Sequence, residues 1–232
     1  MERVIPVQHT DKKYEEDLKK LREDILYMGG LVEDQIQKAV SSLVDRDSKL
    51  AETIIERDHE VNRMDVEIDD LCIRLLALHQ PAGKDLRFIT TGLKITTDLE
   101  RIGDMAVNIC ERALELNLEP QLKPYIDIPR MARTAERMIR ESLDAFVRED
   151  TDLALKVCKD DQEVDDLNGQ IFRETISFMI EDPHTINRAM KIGFISKYLE
   201  RIADHATNIA KMVIFMVKGK SIRHIKEIPQ SI

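Results

Sequence analysis

Acidic and amide side chains recur at helical spacing in two places along the chain. Glu100, Asp104 and Asn108 are four residues apart, so on a helix they would line one face. The same residue types return at a shift of 100 residues, in Glu200, Asp204 and Asn208. Two carboxylates at positions i and i+4 repel each other, so a cation that bridges them removes this repulsion and gains bonds to oxygen. The spacing therefore indicates a candidate metal site in each half of the chain.

Two further acidic stripes could complete these sites. The first consists of Asp58, Asn62, Asp65 and Asp69, and it is echoed by Asp161, Asp165 and Asn168. If each stripe faces the carboxylates of its own half, oxygen ligands converge. All-oxygen ligation suits hard or borderline cations such as Mg²⁺, Mn²⁺, Ca²⁺ or ferric iron, whereas the lack of clustered Cys and His residues disfavours a structural zinc site.

An ion-pair interpretation explains the same carboxylates without a metal. Arg101 and Arg201 each precede an aspartate of the two sets by three residues, and Lys197 precedes Glu200 by three. Residues three apart are neighbours on a helix surface, so these could be solvated faces with surface ion pairs. Packing does not require polar identities to repeat, which favours the metal interpretation. From the spacing alone, both interpretations stay open.

The elements that must position these residues are amphipathic helices. Apolar residues at steps of three and four predict six long helices, of which the first two cover about 12–44 and 48–79. The third follows Gly83 and ends near Pro120. The fourth begins near Pro129, the fifth ends at Pro183 and the sixth ends at Gly219. Short connections between long helices make neighbours antiparallel.

The two halves of the chain also match in sequence. Residues 47–62 return as 150–165 at a shift of 103, and residues 99–109 return as 199–209 at a shift of 100. Because polar as well as apolar identities repeat, we expect an all-α fold of two tandem, pseudo-symmetric three-helix bundles. The proline-rich stretch around Pro120 and Pro124 predicts the boundary, with domains at 1–119 and 125–232.

Composition narrows the fold class and the partners. The 35 basic and 44 acidic residues give a net charge of −9, which argues against electrostatic binding of nucleic acid or anionic lipid. Aromatic residues make up 4% and charged residues 34%, which is typical of long helices and not of β-sheets. Dispersed cysteines, no signal-peptide pattern and no bilayer-length apolar run predict a soluble, cytoplasmic protein. The sequence contains no nucleophile-and-base arrangement or glycine-rich phosphate loop, so we expect no enzymatic activity.

The motifs that carry a family resemblance lie in both halves. They are Gly29-Gly30, Gln80-Pro81 with Asp85-Leu86-Arg87, Leu99 to Asp104, Glu181-Asp182-Pro183, Glu200 to Asp204, and Lys218-Gly219-Lys220 with Arg223-His224. On these motifs the chain resembles the PhoU family, bacterial regulators of phosphate uptake. The resemblance covers nearly the whole chain.

This resemblance implies a fold and a ligand set. Family members are similar in being two three-helix bundles, each with a Glu/Asp-x-x-x-Asp signature that in some members holds polynuclear iron or other metals. The expected cofactor is therefore iron or a divalent cation such as Mn, Mg or Zn. Carried over residue by residue, the ligands are Glu100, Asp104, Glu200 and Asp204, to which the stripe geometry adds Asp58, Asn62, Asp161 and Asp165.

The resemblance also implies a role. The protein would be a negative regulator of phosphate uptake and of the phosphate-starvation response, an adaptor between the ATPase subunit of the phosphate ABC transporter and a sensor histidine kinase. It would form a homodimer and reach the inner membrane only through these partners. The alternative is a metal-dependent enzyme that uses the carboxylate sites, which would need an open coordination position and a nearby base.

Overall fold

The computed structural model describes residues 12–219, and within that range the protein consists of seven α-helices and one 3-10 helix, with no strand. In chain order these are α1 (Lys12–Val44), α2 (Ser48–Arg57), α3 (His59–His79), α4 (Gly83–Asn117), α5 (Asp127–Arg148), α6 (Thr151–Glu181), the 3-10 helix Pro183–Thr185, and α7 (Ile186–Lys218). The all-α prediction is confirmed. Residues 1–11 and 220–232, which include the motif residues Lys220, Arg223 and His224, lie outside the described residues.

The helix predicted over 48–79 is confirmed in its bounds, with an interruption at Asp58 that separates α2 from α3. The N–H of Asp58 donates to the carbonyl of Ile55 at 3.4 Å. This bond spans three residues, as in a 3-10 turn, instead of the four that an α-helix bond spans. The corresponding Asp161 lies inside the uninterrupted α6. The local sequences also differ, since His59, whose Nδ1 lies 2.7 Å from the Glu56 carbonyl oxygen, corresponds to Gln162.

Side-chain caps fix the starts of two equivalent helices. The Asp47 carboxylate accepts a hydrogen bond from the Leu50 N–H at 3.0 Å, so Asp47 is the N-cap of α2. Its counterpart Asp150 accepts from the N–H groups of Asp152 and Leu153, each at 3.0 Å. The fourth predicted helix begins slightly earlier than expected, at Asp127, because Pro129 fits the first turn of a helix.

The two halves pack against each other along equivalent helices. The first half contains α1 to α4 and the second α5 to α7, and the repeat makes α1 equivalent to α5 and α4 to α7. Helix α1 lies on α5 and α4 lies on α7, and their apolar faces belong to one continuous core. The predicted division into two domains stays a prediction.

The α1–α5 contact combines close packing with charge. Gly29 lies directly under the Leu143 side chain, where a Cβ atom would collide with it. Four residues further along α1, Glu33 accepts hydrogen bonds from Arg140 Nη2 at 2.7 Å and from Nε at 3.0 Å. Glu136, the counterpart of Glu33 at the shift of 103, lies in the same contact, and burial together with the Glu33 charge raises its pKa to about 7.

Helix α4 contacts two of the helices of the other half, α5 and α7. The Phe88 ring stacks on Phe146 of α5 with centroids 5.0 Å apart and planes inclined by 8°. Arg87 Nε donates to the Met216 carbonyl of α7 at 2.9 Å. His205 of α7 and Asp98 of α4 form a half-buried pair with 2.7 Å between Nδ1 and Oδ1. These contacts hold the two halves in a fixed relation.

Candidate functional site

The first-half site is centred on the Asp58 carboxylate, at the junction of α2 and α3. Asp58 accepts hydrogen bonds from Gln35 Nε2 at 3.4 Å and from Asn62 Nδ2 at 3.0 Å. Gly103 of α4 lies against this pair, since a Cβ there would be 3.2 Å from Gln35 Oε1 and 3.3 Å from Asp58 Oδ1. The missing side chain lets α4, with its two signature carboxylates, lie close to Asp58.

Gln35 was not predicted as a site residue. It is 95% buried in α1, and its Oε1 atom has no hydrogen-bond partner among the described residues. An unpaired buried carbonyl oxygen is costly, and it is also an available oxygen donor. The only signal in the sequence was that Gln35 is a polar residue on the apolar stripe of α1.

The carboxylates of the first half perturb one another. Burial raises the pKa of Glu100, and the charges of Asp104, Asp65 and Asp58 raise it further. Burial raises the pKa of Asp104 as well, and the charge of Asp58 adds to this effect. The two signature carboxylates of α4 therefore lie in the negative field of the α2–α3 stripe, as the stripe geometry requires.

The second half repeats this arrangement with stronger coupling. Burial, then the charges of Asp165 and Asp204, raises the pKa of Asp161 to about 6. Burial and the Glu200 charge raise the pKa of Asp165. The pKa of Asp204 is raised by burial and by both Glu200 and Asp165. These four residues form a negative cluster between α6 and α7.

Ion pairs occur at only one of the three positions that the sequence suggested. Lys197 Nζ lies 2.6 Å from Glu200 Oε1, so this pair is present. Within residues 12–219, Arg101 and Arg201 have no carboxylate oxygen within 4.0 Å, although the Arg101 charge lowers the pKa of both Glu100 and Asp104. Surface ion pairs therefore leave most of the negative charge of both sites unbalanced.

The oxygen atoms available at both sites are of the kinds that hard cations prefer as ligands. The ligand types are carboxylate and amide oxygens, and one of them, Gln35 Oε1, is buried without a partner. In the described part of the chain, no three His, Cys, Asp or Glu side chains are already arranged to hold a metal ion. Occupancy would therefore require the carboxylates to rotate toward one another.

Comparison with known proteins places the chain in a family. The PhoU domain matches it twice, at residues 25–113 and 128–213. The chain belongs to the PhoU family. The starts of the two PhoU matches are separated by 103 residues and their ends by 100, the same shifts that the sequence repeat shows.

Relatives of this PhoU chain are similar along most of its length. The phosphate-specific transport system accessory protein PhoU homolog of Pseudomonas aeruginosa is 42% identical, over 94% of this chain and 90% of that protein. The PhoU accessory protein of Escherichia coli is 35% identical, with the same two coverages.

Solved PhoU structures have the same fold. The crystal structure of PhoU from Pseudomonas aeruginosa superposes with a TM-score of 0.85, at 42% identity, over 89% of this chain and all of that one. The phosphate transport system regulatory protein PhoU from Streptococcus pneumoniae superposes with a TM-score of 0.84 at 30% identity, over 90% of this chain and 99% of its own. Across residues 12–219, no helix has the length and apolar character needed to cross a bilayer.

Proposed function

We propose that this protein regulates phosphate uptake and represses the phosphate-starvation response when phosphate is plentiful. The observation that carries the proposal is the PhoU match in both repeats, together with relatives named as accessory proteins of the phosphate-specific transport system. In this proposal the protein is a cytoplasmic adaptor, homodimeric, that contacts the ATPase subunit of the transporter and a sensor histidine kinase. It reaches the membrane through these partners alone.

The carboxylate clusters are proposed to hold metal ions. In the first half the ligands would be Asp58, Asn62, Glu100 and Asp104, and Gln35 Oε1 adds a buried oxygen donor. In the second half they would be Asp161, Asp165, Glu200 and Asp204. Iron, or a divalent cation such as Mn, Mg or Zn, supplies the positive charge that both clusters lack. The chain's own contribution is to hold mutually repelling carboxylates on facing helices.

Binding of a cation should be measurable without any activity assay. Asp104→Asn and Asp204→Asn keep the side-chain shape but remove charge, so each should lower the metal content of its own half while folding is retained. Elemental analysis of untagged protein and thermal unfolding with added Fe, Mn or Mg report the outcome. If the wild type carries no metal and gains no thermal stability from any of the three, the metal proposal is wrong.

The regulatory proposal needs a test in the cell and one with purified partners. Deletion of the gene should leave phosphate-starvation genes switched on in phosphate-rich medium. The purified protein should bind the transporter's ATPase subunit and the kinase, more weakly at higher salt because its net charge is −9. Normal repression in the deletion strain, or binding to neither partner at low salt, would contradict the proposal. Phosphatase or oxidase turnover by the purified protein would instead favour the enzyme alternative.

A further inference from the structure

An exposed apolar surface runs along the outer face of α6 and α7. Ile180 is 78% exposed, Phe172 60%, Met190 47% and Phe194 45%. The α6–α7 patch, as we define it, consists of Phe172, Ile176, Ile180, Ile186, Met190 and Phe194. With side chains of this size, these fractions amount to on the order of 500 Å² of exposed apolar surface, the size of the largest apolar patches on monomers, which often serve binding.

The patch is continuous because its two halves lie on antiparallel neighbours. On each helix the three residues are four apart, so they follow one face over two turns. Ser196 Oγ donates to Asn168 Oδ1 at 2.6 Å, and the Thr185 hydroxyl donates to the Phe178 carbonyl at 2.9 Å. These two bonds fix α6 beside α7 along the patch, so the two apolar rows lie on neighbouring helices, on either side of the groove that two packed helices leave between them.

The repeat provides a comparison within the same chain. At the shifts of 103 and 100 residues, the patch positions of the first half hold Asp69, Ile73, Ala77, Leu86, Thr90 and Lys94. The same backbone arrangement therefore accepts polar or small residues at four of the six positions. Packing and helix formation do not require large apolar side chains there, which points to binding as the reason for them.

Charge identifies the kind of partner. At one end of the patch lies the cluster of Asp165, Glu200 and Asp204, which is negative in the metal-free protein although Lys197 pairs with Glu200, and at the other the exposed Glu181 and Asp182 follow the end of α6. A second copy would bring a net charge of −9 and equally acidic patch ends. A helix with basic residues at both ends of an apolar row would match both the groove and its ends.

We propose that the α6–α7 patch is a docking groove for an amphipathic helix of a partner protein, whose apolar row is flanked by basic residues. The inference goes beyond the proposed function because it requires neither metal nor phosphate. Three apolar residues at i, i+4 and i+8 of the partner would lie between the two rows, with Phe172 and Phe194 as aromatic anchors.

The test exchanges the patch for its first-half equivalent. The variant F172D/I180A/M190T/F194K introduces the residues found at the corresponding positions and leaves the net charge unchanged. The control, Y27D/L78K, replaces two exposed apolar residues of the first half and is also charge-neutral. Circular dichroism and thermal unfolding show whether each variant folds as the wild type does.

The probe is a fluorescent helical peptide of about 18 residues with leucine at i, i+4 and i+8 and lysines at both ends. Anisotropy at physiological salt should show binding to the wild type and to Y27D/L78K, and a loss of roughly tenfold or more in the patch variant. Equal binding by the patch variant would overturn the proposal, as would equally tight binding of a peptide with glutamates in place of the lysines. Sedimentation of the wild type as a dimer that the patch variant dissociates would assign the groove to a second copy and overturn it too.

Discussion

Neutralising Glu136 should stabilise the protein at alkaline pH and have little effect at acidic pH. This carboxyl lies in the α1–α5 contact, where burial and the Glu33 charge raise its pKa from 4.5 to about 7, against the opposing charges of Arg140 and Arg133. A pKa difference of one corresponds to about 1.4 kcal/mol. Because Glu136 is only partly buried, solvent screening reduces the cost of its ionised form to about 1 to 2 kcal/mol.

The sign follows from proton binding. The folded-state pKa lies above that of the unfolded chain, so between about pH 4.5 and 7 the folded protein binds more protons. The contribution of Glu136 to the free energy of unfolding is therefore lost as the pH rises through this window. Above it, the ionised carboxylate destabilises the fold.

The perturbation is Glu136→Gln, which keeps the shape and removes the charge. Near pH 8 we expect the free energy of unfolding of the variant to exceed that of the wild type by about 1 to 2 kcal/mol. For a chain of this size, this corresponds to a rise of roughly 2 to 8 °C in Tm. Near pH 5 we expect almost no difference from the wild type. Glu67→Gln, at an exposed carboxylate of α3, is the matched control. The assay is thermal unfolding followed by circular dichroism at both pH values. The reasoning is refuted if Glu136→Gln is less stable than the wild type at pH 8, or if it changes Tm equally at pH 5 and pH 8.

Four further predictions test the packing of single residues. Gly30→Ala should stabilise α1 by about 0.5 to 1 kcal/mol because a Cβ there meets nothing within 4 Å. Gly29→Ala should be about 1 to 3 kcal/mol less stable than Gly30→Ala in urea unfolding because it displaces Leu143; equal stabilities would contradict this close packing. Asp98→Asn should cost about 1 kcal/mol by weakening the bond to His205, whereas Asp45→Asn on the surface should be neutral in the same measurement. Gly103→Ala should lower metal content in the first half alone, because its Cβ presses on Gln35 and Asp58; equal loss in both halves would contradict the local explanation.

Helix positions could be predicted from the sequence because burial imposes a periodic apolar stripe. The repeat then predicted which helices of the two halves correspond to each other, since polar identities such as Glu100 and Glu200 recur. The division at Asp58 was not predicted, because the apolar stripe continues across it and the equivalent Asp161 lies in an unbroken helix. Two contacts distinguish the first half. Gln35 hydrogen-bonds Asp58, whereas the residue equivalent to Gln35 is Met138, and His59 contacts the Glu56 carbonyl, whereas the residue equivalent to His59 is Gln162.

The candidate site could also be predicted from the sequence only in part. Spacing indicated which carboxylates share a helix face, and the mutual pKa effects of Asp161, Asp165 and Asp204 follow from that placement. Gln35 lies on a different helix, far from the motif in sequence, so spacing carried no information about it. The α6–α7 patch was also not predicted, because an apolar residue at helical spacing reads as core until the exposed face is known.

The packing of equivalent helices on each other has a consequence for how such a chain can arise. Helix α1 contacts its own equivalent α5, and α4 contacts α7, so the surface that joins the halves is built from equivalent helices on both sides. A surface of this kind is self-complementary and can close around a two-fold axis. A polypeptide of half the length would therefore carry both sides of the interface, and two identical copies could assemble as this single chain does. Once the two copies are fused, their sequences no longer need to be identical. Gly29 and Leu143, which pack together across the interface, can therefore differ from their counterparts Ala132 and Val40.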